Sequence, residues 1–246
     1  MKKTNHKKIY SKLKSLKDFY KKKTPRNETG FELIFGQRGT GKTTVLAKQY
    51  LQWLNKKVNK KHCHKYFYSN VQYKLITQDY YVLDLNNYRI TDYIERTPKA
   101  IKWKCCTTPK NREDTPFKIK ENSIIQIDEI GILYHARSFK EMPQEFINLT
   151  KVCRHLQLKL ICCSQQYDID KALRQTANNL YLMNKIGNLN YKRKIIKEII
   201  IRDDKTEEGK AESQICDNVK FAPILQKGSI EFTFIPFYTN LFNSFD

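Results

Sequence analysis

No apolar run in this chain approaches the ~20 residues that a membrane-spanning helix needs. The N-terminus is charged, with no apolar region behind it, so no secretory signal is visible. These absences predict a soluble protein, or one that touches a membrane only at its surface. No internal repeat is evident, which sets repeat architectures aside. Acidic residues are scarce: 25 Asp and Glu stand against 46 Lys and Arg, a net charge of +21. Eleven of the basic residues and one acidic residue, Asp18, lie within residues 1–26. The rest of the chain therefore still carries +11. An excess on both tail and body predicts a polyanionic partner, nucleic acid before membrane.

The seven cysteines are an odd number without a disulfide spacing, and Cys162 and Cys163 fall in an apolar, strand-like run. This usage fits a reducing cytoplasm and core thiols. His62-Cys63-His64 lacks a second cluster and makes a poor tetrahedral metal site. With 246 residues, 40% of them hydrophobic, the chain can build one large α/β domain.

What the chain does have is Gly36-Gln37-Arg38-Gly39-Thr40-Gly41-Lys42-Thr43, followed by Thr44. The spacing G-x-x-x-x-G-K-[ST] is that of a phosphate-binding loop. Phe31–Phe35 before it reads as a buried strand. Val45, Leu46, Gln49, Tyr50, Trp53 and Leu54 after it recur at helical spacing. That is the strand–loop–helix context the motif requires. Glycines let the backbone approach an anion closely, and free N–H groups at the helix start face its oxygens. Lys42 is placed to reach the β- and γ-phosphates of ATP, and the Thr43 hydroxyl to hold Mg²⁺.

Ser123–Ile127 is a second short apolar strand, and it ends in Asp128 and Glu129, 85 residues after Thr43. In a parallel sheet this strand is expected beside the loop strand, with its carboxyl end at the same edge. Asp128 is then a Mg²⁺ ligand and Glu129 the group that orients and deprotonates the attacking water. A third strand, Leu158–Cys163, leads to Ser164-Gln165-Gln166, and Gln165 is the candidate for touching the γ-phosphate or the water.

Elsewhere the pattern predicts strands over 66–70, 80–83 and 180–186, and helices over 90–101 and 168–179. A further helix lies within 137–155, starting either at its head or at Pro143. Residues 192–202 and 229–236 read as late strands, and 203–220 as a charged loop. Two prolines mark 105–122 as an exposed insertion. Ile9, Leu13, Leu16, Phe19 and Tyr20 share one face of a Lys-rich helix that could lie on anionic lipid, on DNA or on a neighbouring subunit. The expected organisation is a basic arm and linker over 1–30, an ATPase core over 31–190, and a β-rich extension of the same domain over 191–246.

Over residues 31–186 the chain resembles the zonular-occludens-toxin-like (Zot) ATPases of filamentous phage assembly, within the FtsK–HerA group of DNA-pumping motors. The resemblance rests on the phosphate loop, Tyr68-Ser69-Asn70, Asp128-Glu129, Arg154-His155, Ser164-Gln165 and Ile169-Asp170-Lys171-Ala172-Leu173-Arg174, in that order. It implies an ASCE-type P-loop NTPase, a mainly parallel sheet flanked by helices with a late antiparallel addition. In that fold the strand ending at Gln165 separates the loop strand from the Asp–Glu strand. The resemblance also implies ATP hydrolysis by a ring of identical subunits that moves phage DNA in the host cytoplasm. One arginine must then reach the neighbour's γ-phosphate: Arg154 and Arg174 match family positions, and Arg137 is a weaker candidate. Many relatives carry a membrane segment and an outer domain after the ATPase. Neither is seen in this sequence, which favours a soluble motor touching an assembly site, or the inner face of a membrane, through residues 1–26. Two other readings share the loop: a nucleotide kinase, which needs no glutamate after the strand aspartate, and a basic DNA-binding protein with a vestigial nucleotide site.

Overall fold

The computed structural model describes residues 29–59, 61, 63–94, 117–133, 144–165, 171–205, 211–226 and 228–242. For 144, 171, 172, 197–205 and 211–219 it describes the backbone alone. The basic arm, Arg137, Cys105, Cys106, Gln166 and the Ile169-Asp170 pair lie outside the described residues.

The first strand, β1 (Gly30–Phe35), is buried along its whole length. It carries apolar side chains to both faces, as a central parallel strand must. Helix α1 (Lys42–Val58) follows the phosphate loop. Then come β2 (Tyr66–Ser69), β3 (Tyr80–Val82), β4 (Ser123–Ile127), the short α2 (Ile130–Leu133), α3 (Gln144–Val152) and β5 (Lys159–Ser164). The chain continues through α4 (Lys171–Thr176), β6 (Asn179–Ile186), β7 (Leu189–Lys205), β8 (Ala211–Phe221), β9 (Ile230–Phe234) and α5 (Ile235–Tyr238).

The strands form one sheet in the order β3-β2-β4-β5-β1-β6-β7-β8, with β9 also on β7. From β3 to β6 every pairing is parallel. The pairings of β7 with β6, β8 and β9 are antiparallel. Strand β5 sits between β1 and β4, so the Asp–Glu strand is not the loop strand's neighbour, as its spacing alone suggested. The separation implied by the resemblance is the one observed. Such a sheet gathers the ends of β1, β4 and β5 at one edge.

Each face of the sheet has its own core. Val45, Leu46, Tyr50 and Trp53 of α1 pack on Ile34, Phe67, Ile161 and Cys163. Tyr50 stacks on Tyr73 with ring centroids 4.3 Å apart. On the other face Phe146 and Leu149 of α3 and Leu173 of α4 cover Phe31, Leu33, Phe35, Ile125 and Cys162. Adjacent residues on a strand point to opposite faces, which is why Cys162 and Cys163 are core thiols of different layers.

Four expectations need correction. Of the helix expected over 90–101, the described part is a 3-10 turn, Ile90–Tyr93, after which Ile94 bridges to Ile119, and 95–101 lie outside the described residues. The insertion is not exposed to its end, because Phe117 packs among Tyr68, Tyr81 and Tyr93. The helix expected over 168–179 ends at Thr176, and β6 already begins at Asn179. Within the loop expected over 203–220, residues 203–205 end β7 and 211–220 belong to β8, paired from Ile195↔Phe221 to Lys205↔Ala211, while 206–210 lie outside the described residues. The charge density there hides the even spacing of Ile215, Val219 and Phe221. The late strands expected over 192–202 and 229–236 do pair, through Leu189↔Phe234 to Arg193↔Ile230.

Candidate functional site

The loop leaves β1 at Gly36, whose N–H donates to the Ser164 carbonyl at the end of β5, at 3.1 Å. A Cβ at Gly36 would lie 2.7 Å from Thr40 Oγ1 and 2.9 Å from Met183 Cβ, so the turn has no room for a side chain. Gly41 has φ +83° and is the N-cap of α1. That left-handed conformation favours glycine, and it turns the chain so that the first free N–H groups of α1 open to the site. Between these glycines, Gln37, Arg38 and Gly39 are exposed, and the Thr40 hydroxyl ties the loop to itself by donating to the Gln37 carbonyl at 2.8 Å. Thr44 is buried one residue into the helix from Thr43.

Lys42 is only 5% exposed. Its ammonium donates to the carbonyls of Gly36 at 3.0 Å and Gln37 at 3.3 Å, and lies 3.6 Å from Glu129 Oε1. The Thr43 hydroxyl donates to Asp128 Oδ2 at 2.6 Å. Residues on α1 and at the end of β4, 85 apart in sequence, thus meet at one point. Asp128 is held on its backbone as well: its N–H donates to Asn70 Oδ1 at 2.8 Å, and Asn70 Nδ2 donates to its carbonyl at 3.0 Å. Glu129 has φ +56°. A non-glycine residue held there costs on the order of 1–3 kcal/mol, so the surrounding structure must impose it.

Burial pushes the Asp128 carboxyl above its ordinary range. The Glu129 charge pushes the same way, while the Thr43 hydroxyl and Lys42 pull it back without cancelling the shift. Two carboxylates therefore share this edge with one ammonium. A hard divalent cation prefers oxygen ligands of this kind. The Thr43 hydroxyl and the Asp128 carboxylate fit Mg²⁺, and a bound cation would remove the electrostatic cost of ionising Asp128.

Among the predicted site residues the structure brings together Lys42, Thr43, Asp128 and Glu129. Gln165 follows directly on β5 at the same edge and is exposed. Arg154 is elsewhere. It is exposed in the turn before β5, and a Cβ at Gly30, the first residue of β1, would lie 3.6 Å from its Nε. At about 3.3 Å per residue, the six residues of β1 put Arg154 roughly 20 Å from this chain's own loop. Arg174 belongs to α4, just before β6 starts, and is likewise not part of the cluster.

Sequence reading assigned no role to Asn70 or Asn190. Asn70 was visible as the strand-end residue of Tyr68-Ser69-Asn70 in the family resemblance, with no task attached. Asn190 sits near the start of β7, is fully buried, and donates through Nδ2 to the Gly41 carbonyl at 3.1 Å. Gln126 inside an apolar strand was a stronger signal. It accepts from Tyr73 at 2.7 Å and donates to the Leu46 carbonyl at 3.1 Å, locking β4 to α1.

The sheet order, with β5 between the loop strand and the Asp–Glu strand, is the ASCE-type P-loop fold expected from the sequence. No family model and no curated protein sequence matches the chain. Among solved structures it is similar to the N-terminal domain of zonular occludens toxin from Neisseria meningitidis. The identity is 18%, covering 77% of this chain and 94% of that one, with a TM-score of 0.46. It is also similar to the genome packaging NTPase B204 from Sulfolobus turreted icosahedral virus 2 in complex with ATP-gammaS, at 16% identity over 65% and 77% of the two chains and a TM-score of 0.38. The flagellar accessory protein FlaH from Methanocaldococcus jannaschii matches at 15% identity over 78% and 90%, with a TM-score of 0.41. Among the described residues no helix is long and apolar enough to cross a membrane.

Proposed function

We propose that this protein hydrolyses ATP at the carboxyl edge of its parallel sheet and uses the cycle to move DNA in phage genome packaging or virion assembly. The observation that carries the reading is the meeting of Thr43 with Asp128 at 2.6 Å, with Glu129 alongside Lys42 at 3.6 Å. A phosphate cradle alone would serve a kinase. A second carboxylate beside the cation ligand is what water activation needs.

Each residue then has one task. The loop N–H groups and Lys42 bind the β- and γ-phosphates. Thr43 and Asp128 hold Mg²⁺, which neutralises charge developing on the phosphates. Glu129 takes a proton from the attacking water, and Gln165 orients it. Arg38 belongs to the loop itself, and in this reading a neighbouring copy in a ring supplies a second arginine, Arg154 or Arg174. Such a contact can contribute about 10³–10⁵ in rate. DNA is held without base specificity by the basic surface, as the net charge of +21 favours. Residues 1–26 provide the contact with an assembly site in the host cytoplasm.

The test is ATP turnover with and without DNA, at low and physiological salt. Turnover should rise with DNA at low salt, and the stimulation should fade as salt displaces Lys and Arg from phosphate. Turnover indifferent to DNA at every salt concentration would remove the motor and leave an ATPase.

A further inference from the structure

The phosphate loop does not rest on β1, β5 and α1 alone. It is also pinned from the antiparallel extension, by Asn190 of β7. We infer that Asn190 is a positioning residue for nucleotide binding: it fixes the Gly41–Lys42 peptide so that the Lys42 N–H faces the phosphates. The inference rests on the proposed ATP site and names a residue that completes it.

The geometry of the peptide makes the argument. In a trans peptide the C=O and the following N–H point in opposite directions. The Gly41 carbonyl already accepts from Val45 N–H at 3.1 Å, the first bond of α1. Asn190 Nδ2 takes the remaining lone pair. With both lone pairs engaged, the carbonyl is held and the Lys42 N–H is aimed out of the helix start. The approach is close: a Cβ at Gly41 would lie 2.5 Å from Asn190 Nδ2. The orientation of the amide is dictated by its neighbour, because only its NH₂ end can face a carbonyl oxygen.

The other end of the same side chain shows what the residue is not for. Asn190 Oδ1 is buried with no hydrogen-bond partner. Burying an amide acceptor unpaired costs stability, and asparagine is depleted in strands. An apolar residue of similar size would suit this position in β7 better. Asparagine is therefore kept for its one donated bond to the loop.

This separates positioning from packing in an experiment on the full chain. Asn190→Leu removes the donor, keeps about the same volume and leaves no acceptor stranded. Asn190→Asp keeps the shape but sets an acceptor against the carbonyl. Affinities for ATP and for inorganic tripolyphosphate would be measured by calorimetry, beside the melting temperature without ligand. Both variants should lose about tenfold or more in affinity, the size expected for one charge-assisted hydrogen bond. The loss should be equal for ATP and tripolyphosphate, because the phosphate cradle is affected and the base is not. The Asn190→Leu melting temperature should be unchanged or higher. Unchanged affinity in Asn190→Leu would overturn the inference, as would an affinity loss matched by a fall in that variant's melting temperature. A wild-type chain that binds neither probe would overturn the nucleotide site itself, and this inference with it.

Discussion

Two carboxylates of this protein sit in opposite electrostatic worlds. Asp128, at the end of β4, has its carboxyl pushed above the ordinary range by burial. Glu231, on β9, is also partly buried, and burial pushes it up too. There Lys192 and Lys48 more than offset the effect and hold it below the ordinary range. Lys48 Nζ and Lys192 Nζ each lie 2.8 Å from a Glu231 oxygen. Lys48 also donates to the Phe232 carbonyl at 2.8 Å and to Thr233 Oγ1 at 3.2 Å. The Glu231 carboxylate is closed off, gripped by two ammonium groups. It ties α1 to β7 and β9, and its work is structural. The Asp128 edge is left open, two carboxylates against one ammonium, and that imbalance is where a cation and a triphosphate belong. Perturbed groups cluster at working sites, but structural ion-pair networks such as that of Glu231 perturb them as well.

The contrast breaks most sharply at Glu129. Glu129→Gln keeps size and hydrogen bonding but cannot take a proton from water. ATP turnover should fall by about 10²–10⁴, the usual contribution of a general base, while ATP affinity by calorimetry stays close to that of the wild type. Turnover that survives the change would remove the assignment.

The closed cluster should answer in stability and not in chemistry. Glu231→Ala leaves Lys192, with a side chain 7% exposed, without its partner beside the sheet. Breaking a buried pair from one side is costly, but Glu231 is 36% exposed and solvent screens part of the loss. A cost of about 1–2 kcal/mol in urea unfolding is expected, with ATP affinity little changed. A loss of affinity comparable to the loss of stability would show that β9 also supports the loop through α1.

The open edge was legible in the sequence and the closed cluster was not, for a physical reason. The loop and the strand ending in Asp128-Glu129 are local patterns, each with its chemistry inside eight residues or fewer. Parallel pairing then brings the two together without further instruction. Lys48, Lys192 and Glu231 are single charges 39 to 183 residues apart, and a net charge of +21 gives no hint of which lysines are paired. Asn190 was hidden in the same way, since it fell between the strands expected over 180–186 and 192–202. Residues 203–220 failed for another cause. A two-stranded ribbon needs no buried face to pair its backbone, so the strong alternation that betrays β6 is diluted there by charge. Strand order was legible only through family likeness, because nothing in the spacing of Thr43 and Asp128 says that β5 lies between their strands.

The smallest expected effect distinguishes the two carboxylates by sign. Asp128 has a raised folded-state pKa, so the native protein holds its proton more tightly than the unfolded chain does. Its contribution to stability is favourable while it is protonated and is lost as pH rises through the raised value. Glu231 has a lowered folded-state pKa, so its contribution is present above the ordinary carboxylate range and is lost as pH falls through the lowered value. Melting curves of the ligand-free protein, taken from acid to neutral pH, should carry both slopes. Asp128→Asn should remove the part that declines as pH rises, and Glu231→Gln the part that declines as pH falls. Adding MgCl₂ should flatten the first slope alone, because a cation held by Thr43 and Asp128 stabilises the ionised carboxylate and has no purchase on a glutamate already gripped by two lysines. If magnesium shifts both slopes equally, it acts as general ionic strength, and the cation site at the end of β4 is not there.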